Sequence, residues 1–393
     1  MENSIYPSQE DLQLRWNKVQ NLMKEINADA CLVSTNVNIY YLTGKIIAGY
    51  VFLPSEGEPI EFIQRPAGLE GSRIVYIRKP EDIPAILEKK GYKTSFSTLL
   101  LEADQITYNE YIRLEKAFSA VKTGNATSVL RTARMTKTPW EIEQMRISAK
   151  HHAEAYLSIP SLFEAGMRDS EFQYEIERLM RKNGSLGIFR TFGHNMEIFM
   201  GSLLAGKNAS TPSPYDFALG GGGLSPCLPI GANGDVIQKG QSVMVDMAGN
   251  FTAYLTDMTR VFSYGTLPDK AYLAHEVSVR MHNRLMETAK PGTACADIYN
   301  WSLEMAEEAG FAANFMGTVQ QAKFTGHGVG LEINEPPVLM GRSKDPLQPG
   351  MTIAFEPKFV LPDTGAVGIE NTYLITETGI EKLTVFEENI IGL

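Results

Sequence analysis

Val243–Phe262 reads VMVDMAGNFTAYLTDMTRVF, a strand-forming run broken twice by an acid, Asp246 and Asp257, with Gly249 and Asn250 between them. Thr352–Asn371, TIAFEPKFVLPDTGAVGIEN, repeats the plan with Glu356 and Glu370 around Pro362, Asp363 and Gly365. Branched and aromatic arms on either side of turn residues predict two β-hairpins, each returning its acids to neighbouring strands. Burying a carboxylate is costly without a cation or donors to compensate it, and adjacent carboxylates repel each other. Four acids on apolar strands therefore predict a positive charge among them. His327, in Phe324–Pro337 (FTGHGVGLEINEPP), stands between the pairs and adds one imidazole. Oxygen donors with a single imidazole suit a hard or borderline divalent metal such as Mn, Co, Fe or Zn, singly or as a pair. The plainer alternative, solvent-facing acids on half-exposed strands, explains any one of these residues better than all five in order.

Outward from the hairpins, each is preceded by two helix-like segments. Ile142–Leu157 and Phe172–Met180, with Gly184 as a stop, come before the aspartates. A helix around Leu273, Val277, Met281 and Leu285 ends before Pro291-Gly292, and Ile298, Trp301 and Met305 mark another that stops at Gly310. This duplication predicts two helix-helix-hairpin halves facing each other, with four acids at the centre of a curved sheet. Thr138-Pro139-Trp140-Glu141 has the form of a capping box with Pro at the first helical position, which places a boundary near it. Before it, Ser8 opens a stretch with Leu12, Trp16, Val19, Met23 and Ile26 on one face, and β-like runs follow at Ala30–Ser34 and Val51–Pro54. The expectation is α+β: a smaller α/β domain over 1–130 and a second domain over 131–393.

The chain's 393 residues suffice for two full cores, and its formal charge of −10 argues against nucleic acid and anionic membranes as partners. Cys31, Cys227 and Cys295 are too few and too scattered for a disulfide framework, which fits a reducing compartment. The opening MENSIYPSQED has no basic, apolar signal pattern, and no run approaches the roughly 18 apolar residues of a membrane helix. A cytoplasmic protein is expected.

The order Asp, Asp, His, Glu, Glu, in the contexts VDMAG, YLTDMTR, GHGVGLE, FEPKF and GIEN, resembles the pita-bread metallopeptidases: prolidase, aminopeptidase P, methionine aminopeptidase and the non-peptidase creatinase. Leu32–Gly44 (LVSTNVNIYYLTG) resembles the amino-terminal domain of the creatinase and prolidase branch, and Arg134–Ile142 (RMTKTPWEI) its domain junction. The resemblance implies a pita-bread fold behind a creatinase-like domain, a homodimer and two divalent metal ions. Asp246 would chelate one metal, Asp257 and Glu370 bridge both, and His327 and Glu356 complete the second. Such a pair would polarise a carbonyl and generate a bridging hydroxide near neutral pH.

The departures lie beside those ligands. Prolidase-like enzymes carry a second histidine, in a pattern resembling HGxGxxxHExP, where this chain has Asn334. They carry another in a stretch resembling PHG where it has Pro229-Ile230-Gly231. Gly368 stands where relatives often have arginine, and Asn371 where aspartate is usual. Asparagine can donate to a developing oxyanion but exchanges no proton near pH 7, and isoleucine does neither. Asn334, Ile230 and Arg190 are the substrate-binding candidates. Within Phe189–Gly206, His194 is the candidate catalytic substitute, against the alternative of a structural histidine. Glu335, in the preserved Glu-Pro, is the candidate acid or base beside the metals. Tyr254 reads as a packing residue and His151-His152 as a solvated helical pair. Gly220–Gly223 lacks the lysine and hydroxyl of a phosphate loop and reads as a segment that lets a substrate backbone come close.

Three functions follow. The first is a dinuclear hydrolase that removes the amino-terminal residue of short peptides, as Xaa-Pro dipeptidases or aminopeptidases do. The second is a metal-dependent enzyme acting on a small non-peptide amide or related molecule. The third is a catalytically silent metal-binding module.

Overall fold

Ser8 caps the first helix, α1 (Gln9–Glu25), by accepting a hydrogen bond from the Asp11 amide at 3.1 Å. Leu12, Trp16, Val19 and Met23 are buried along it, whereas Ile26, expected on the same face, lies just past the helix end and is exposed. The computed structural model describes residues 5–92, 96–118 and 122–393, so the first four residues of the opening segment read for a signal lie outside it. The chain forms two units, Met1–Arg134 with Thr138–Trp140, and Met135–Lys137 with Glu141–Leu393.

In the first unit the chain continues through β1 (Ala30–Val33), α2 (Asn36–Thr43), β2 (Ala48–Pro54), β3 (Ile60–Arg65), β4 (Ile74–Tyr76), α3 (Ile83–Lys89), β5 (Thr98–Leu101), α4 (Tyr108–Ala117) and β6 (Lys122–Asn125). These strands form a mixed sheet in the order β4-β3-β2-β1-β5-β6. Buried Glu102 holds the start of α2, accepting from the amides of Ser34 and Thr35 at 2.6 and 2.9 Å and from Asn38 Nδ2 at 2.7 Å. A carboxylate there complements the exposed amides and the positive end of the helix dipole.

Two helices, α5 (Thr127–Met135) and α6 (Pro139–Tyr156), lead into the second unit, and α6 begins at the proline. There follow α7 (Asp169–Lys182), β7 (Gly201–Ala205), β8 (Gln241–Gly249), β9 (Thr256–Tyr264), α8 (Asp269–Thr288), α9 (Cys295–Glu308), β10 (Gly326–Gly328), β11 (Glu335–Val338), β12 (Thr352–Phe355), β13 (Lys358–Leu361), β14 (Gly365–Gly368), β15 (Asn371–Ile375), β16 (Ile380–Lys382) and β17 (Ile391–Gly392). The sheets run β17-β9-β8-β7 and β11-β10-β12-β15-β16, with β13 and β14 as a separate pair. The helix-helix-hairpin order thus occurs twice. Ala271, Ala274, Val277, Met281 and Leu285 of α8 pack into the core with Phe359 and Val367 of the second hairpin, while Leu273 is exposed.

The aspartate hairpin is continuous, β8 to β9, with Gly249 paired to Thr256. The glutamate hairpin is interrupted. Its tip is β13–β14 and its base β12–β15, and both glutamates lie in the gap between Phe355↔Asn371 and Lys358↔Gly368. Pro357 has no amide to donate, and the other amides there are taken by neighbouring elements. The Glu356 amide donates to Thr325 O at 2.9 Å, Glu370 to Thr259 O at 3.2 Å, Ile369 to Ser278 Oγ at 3.0 Å and Gly368 to His275 Nδ1 at 3.2 Å.

One expectation is overturned here: His152 is not solvated. Its ring is fully buried, with Nδ1 3.1 Å from Thr256 Oγ1. Among the described residues no helix is long and apolar enough to cross a membrane.

Candidate metal centre

Side chains alternate faces along a strand, so the register Asp246↔Thr259 and Ala248↔Asp257 puts both aspartates on one face of the β8–β9 hairpin. Thr372 Oγ1 fixes Asp257, accepting from its amide at 2.8 Å and donating to its carbonyl at 2.9 Å. Glu370 is reached by Thr259 Oγ1, which donates to Oε2 at 2.6 Å, and by Arg260 Nη1, which donates to its carbonyl at 2.8 Å. On β10, His327 Nδ1 lies 3.1 Å from Gly328 O. A carbonyl only accepts, so Nδ1 carries the proton and Nε2 presents a lone pair. That Nε2 is 3.5 Å from Glu356 Oε1 and 3.9 Å from Asp257 Oδ2.

The five predicted side chains therefore meet, as two triads that share Glu370. Asp257, His327 and Glu370 form one and Asp246, Glu356 and Glu370 the other, with donor atoms within 4.8 Å of one another in each. The first triad fits a divalent ion. It combines hard oxygens with one imidazole, and Glu370 Oε1 is buried without a hydrogen-bond partner.

A residue the sequence reading passed over occupies the second triad. Lys358 Nζ is 2.8 Å from Asp246 Oδ2, 2.8 Å from Glu356 Oε2 and 3.3 Å from Glu370 Oε2, and its side chain is 0% exposed. The signal was available: a lysine two residues after Glu356, in the otherwise apolar FVL run. Gly368 faces it across the ladder at φ +119°, and a Cβ there would lie 2.5 Å from Pro357 O and 3.0 Å from Lys358 Cα. An arginine at this position is thereby excluded.

The charges follow this geometry. Burial pushes the Asp246 carboxyl up, but the Lys358 ammonium outweighs it and holds the group below the usual carboxylate range. Asp257 goes the other way, well above that range, through burial and the negative charges of Asp246 and Glu356. Glu370 is also raised well above it, by burial and then by Asp257.

Comparison with known proteins gives the family. Residues 143–377 match metallopeptidase family M24, and residues 15–136 match the creatinase/prolidase N-terminal domain. The chain belongs to metallopeptidase family M24. The M24 chain is 26% identical to the Xaa-Pro dipeptidase of Pyrococcus furiosus over 384 residues, 96% of this chain and 99% of that one. Two solved structures share its fold. The prolidase of Pyrococcus horikoshii has a TM-score of 0.76 at 23% identity, covering 95% of this chain and 98% of its own. The Xaa-Pro dipeptidase of Bacillus anthracis has a TM-score of 0.79 at 22% identity, covering 97% and 100%. The M24 protein is thus a metallopeptidase-like hydrolase, with the pita-bread fold behind a creatinase-like domain that the resemblance implied.

The remaining candidates of this M24 chain are engaged differently. Asn334 grips the main chain of Phe192, accepting from its amide at 2.7 Å and donating to its carbonyl at 2.8 Å, and the Ile333 amide donates to Arg190 O at 2.8 Å. Asn334, where the resemblance expects an imidazole, therefore anchors the Arg190–Asn195 segment. His194 stands exposed in a turn of that segment, outside both triads, and Arg190 is half-buried. Glu335, expected beside the metals, is buried and pairs with buried Lys137 at 3.1 Å, while its Oε1 accepts from the amides of Leu331 and Glu332 at 3.1 and 3.3 Å. These contacts make it an anchor for the loop after His327.

Ile230 is buried against the glycine segment. At Gly223, φ +65°, a Cβ would lie 2.2 Å from Leu228 O and 2.6 Å from Ile230 N, so the close approach read there is to the chain's own backbone. Tyr254 is buried and donates to Glu141 Oε1 at 2.7 Å. Asn371, in place of aspartate, accepts from Arg260 Nη2 at 2.8 Å and donates to Glu388 Oε1 at 2.9 Å.

Three residues of α8 support the centre from behind. Ser278 Oγ donates to Pro357 O at 2.7 Å while accepting from Ile369, so it bridges the two arms beside the glutamates. His275 accepts from Gly368, and His282 Nε2 donates to Ile369 O at 3.0 Å. Their i, i+3, i+7 spacing puts them on one helix face, a pattern visible in the sequence.

Proposed function

We propose that this M24 hydrolase removes the amino-terminal residue of short peptides, with Xaa-Pro dipeptides as its leading substrate class. The observation that carries this reading is the convergence of Asp246, Asp257, His327, Glu356 and Glu370, from separate segments of the chain, into two triads that share Glu370. Asp257, His327 and Glu370 would hold a divalent Mn, Co, Zn or Fe ion, which when bound supplies Lewis-acid polarisation of a carbonyl. The chain's own residues orient it. The Nδ1–H bond to Gly328 keeps Nε2 of His327 free to ligate, Thr259 sets the Glu370 carboxylate and Arg260 holds its main-chain carbonyl.

A cavity of about 290 Å³ lined by Ser213, Tyr215, Gly220, Phe324 and Arg342 is the place for the substrate. Phe324 joins it to the centre, its ring centroid 6.5 Å from that of His327. The Arg342 guanidinium suits a peptide's terminal carboxylate.

A second reading, hydrolysis of a small non-peptide amide, draws support from Asn334 and Ile230. One is spent on the Phe192 main chain and the other buried, so neither position moves a proton. Turnover of Xaa-Pro dipeptides, longer peptides and simple amides by protein of measured metal content separates the two. Release of the first residue supports the peptidase, and turnover confined to non-peptide amides supports the second reading.

A further inference from the structure

We infer that the Lys358 side chain permanently takes the place of one metal ion, so that the centre holds one divalent cation on Asp257, His327 and Glu370 and one ammonium on Asp246, Glu356 and Glu370. The resemblance implied two metals on these five ligands. The inference concerns how many ions this chain can hold, and it stands whether or not the substrate is a peptide.

Three observations carry it. The first is coincidence of position: an ammonium has three donors, and Nζ has three carboxylate oxygens at 2.8, 2.8 and 3.3 Å. A metal bound to those oxygens at about 2.1 Å would sit where the nitrogen is.

The second is that the lysine has no way out. Its side chain is fully buried, and its strand is held by pairing with Gly368 and by the Met316 amide, which donates to Lys358 O at 2.8 Å. Gly368 closes over the backbone, with room for a Cβ only 3.0 Å from Lys358 Cα.

The third is the contrast between the triads. In the other triad Glu370 Oε1 is buried without a partner, and His327 Nε2 faces carboxylate oxygens at 3.5 and 3.9 Å, too far for good hydrogen bonds. The donor atoms of Asp257, His327 and Glu370 lie within 4.8 Å of one another. Charge agrees: with four ligating carboxylates ionised in the loaded centre, one ammonium and one divalent ion leave a single negative charge.

Metal counting tests this without substrate. Protein equilibrated with excess Mn, Co or Zn, desalted and analysed by elemental mass spectrometry, is expected to carry one ion per chain. Asp246→Asn should keep that ion, whereas Asp257→Asn or His327→Ala should lose it. Lys358→Ala, which opens the second triad, should raise the count to two. Two ions per wild-type chain would overturn the inference, as would none, or loss of the ion in Asp246→Asn. If Lys358→Ala does not fold, the wild-type and Asp246→Asn counts still decide. Failure to cleave peptides would leave the counts unchanged, so the two readings fail separately.

Discussion

Lys358 Nζ and Asp246 Oδ2 lie 2.8 Å apart and join the glutamate hairpin to the aspartate hairpin across 112 residues of sequence. The pair replaces part of what a metal would do for folding: it brings a positive charge to carboxylates that would otherwise be buried against one another.

Lys358→Met should therefore destabilise the metal-free protein. Removing one partner of a buried ion pair costs about 3–5 kcal/mol. Urea unfolding in the presence of a chelator measures it. A variant within about 1 kcal/mol of wild type would show that the carboxylates protonate and relax at little cost.

The buried histidines should cost the fold stability as the pH drops from neutral. Burial pushes the His152 imidazole down to about 3, with the charge of Arg260 adding to the effect, and burial also lowers His275 and His282. An unfolded histidine titrates near 6.5, so between roughly pH 6.5 and 3 the unfolded chain binds the extra proton. For His152 the stabilisation is fully present above 6.5 and is lost at about 1.4 kcal/mol per pH unit as pH falls through that window, and His275 and His282 contribute in the same direction. Denaturation midpoints at pH 7, 6 and 5 check the slope, which His152→Gln should reduce.

Ser278→Ala should loosen the gap in the glutamate hairpin. It leaves the buried Ile369 amide and Pro357 carbonyl without their partner, at about 1–3 kcal/mol. Thermal melting reads the loss. Because those groups flank Glu370 and Glu356, weaker metal binding in calorimetric titration should accompany it.

Asn334→Ala should release the segment around His194. Both hydrogen bonds to Phe192 vanish, and amide exchange over residues 189–195 should rise several-fold while β8 and β9 keep their protection. Unchanged exchange there would mean that contacts other than the Asn334 side chain hold the segment.

Much of this was legible in the residues. Acids set into apolar strands, turn residues between them and helices ending at Gly184 and Gly310 all depend on local chemistry and short periods, which a sequence displays directly. Facing was harder to read. Ile26 and Leu273 carry the right spacing but lie outside, and His152 carries polar character but lies inside, because burial depends on what packs against a helix.

By itself, then, the sequence displayed a two-domain order, the duplicated helix-helix-hairpin plan and the five side chains proposed as ligands. Carboxylates set into apolar strands need a cation or donors, and one shared positive charge is the simplest source. Only the tertiary structure decided what they meet. Whether Lys358 points to solvent or into the carboxylates depends on the break at Pro357, the closeness of Gly368 and the docking of the glutamate hairpin on the aspartate one. Those are contacts between distant segments, and the spacing of residues along the chain does not specify them.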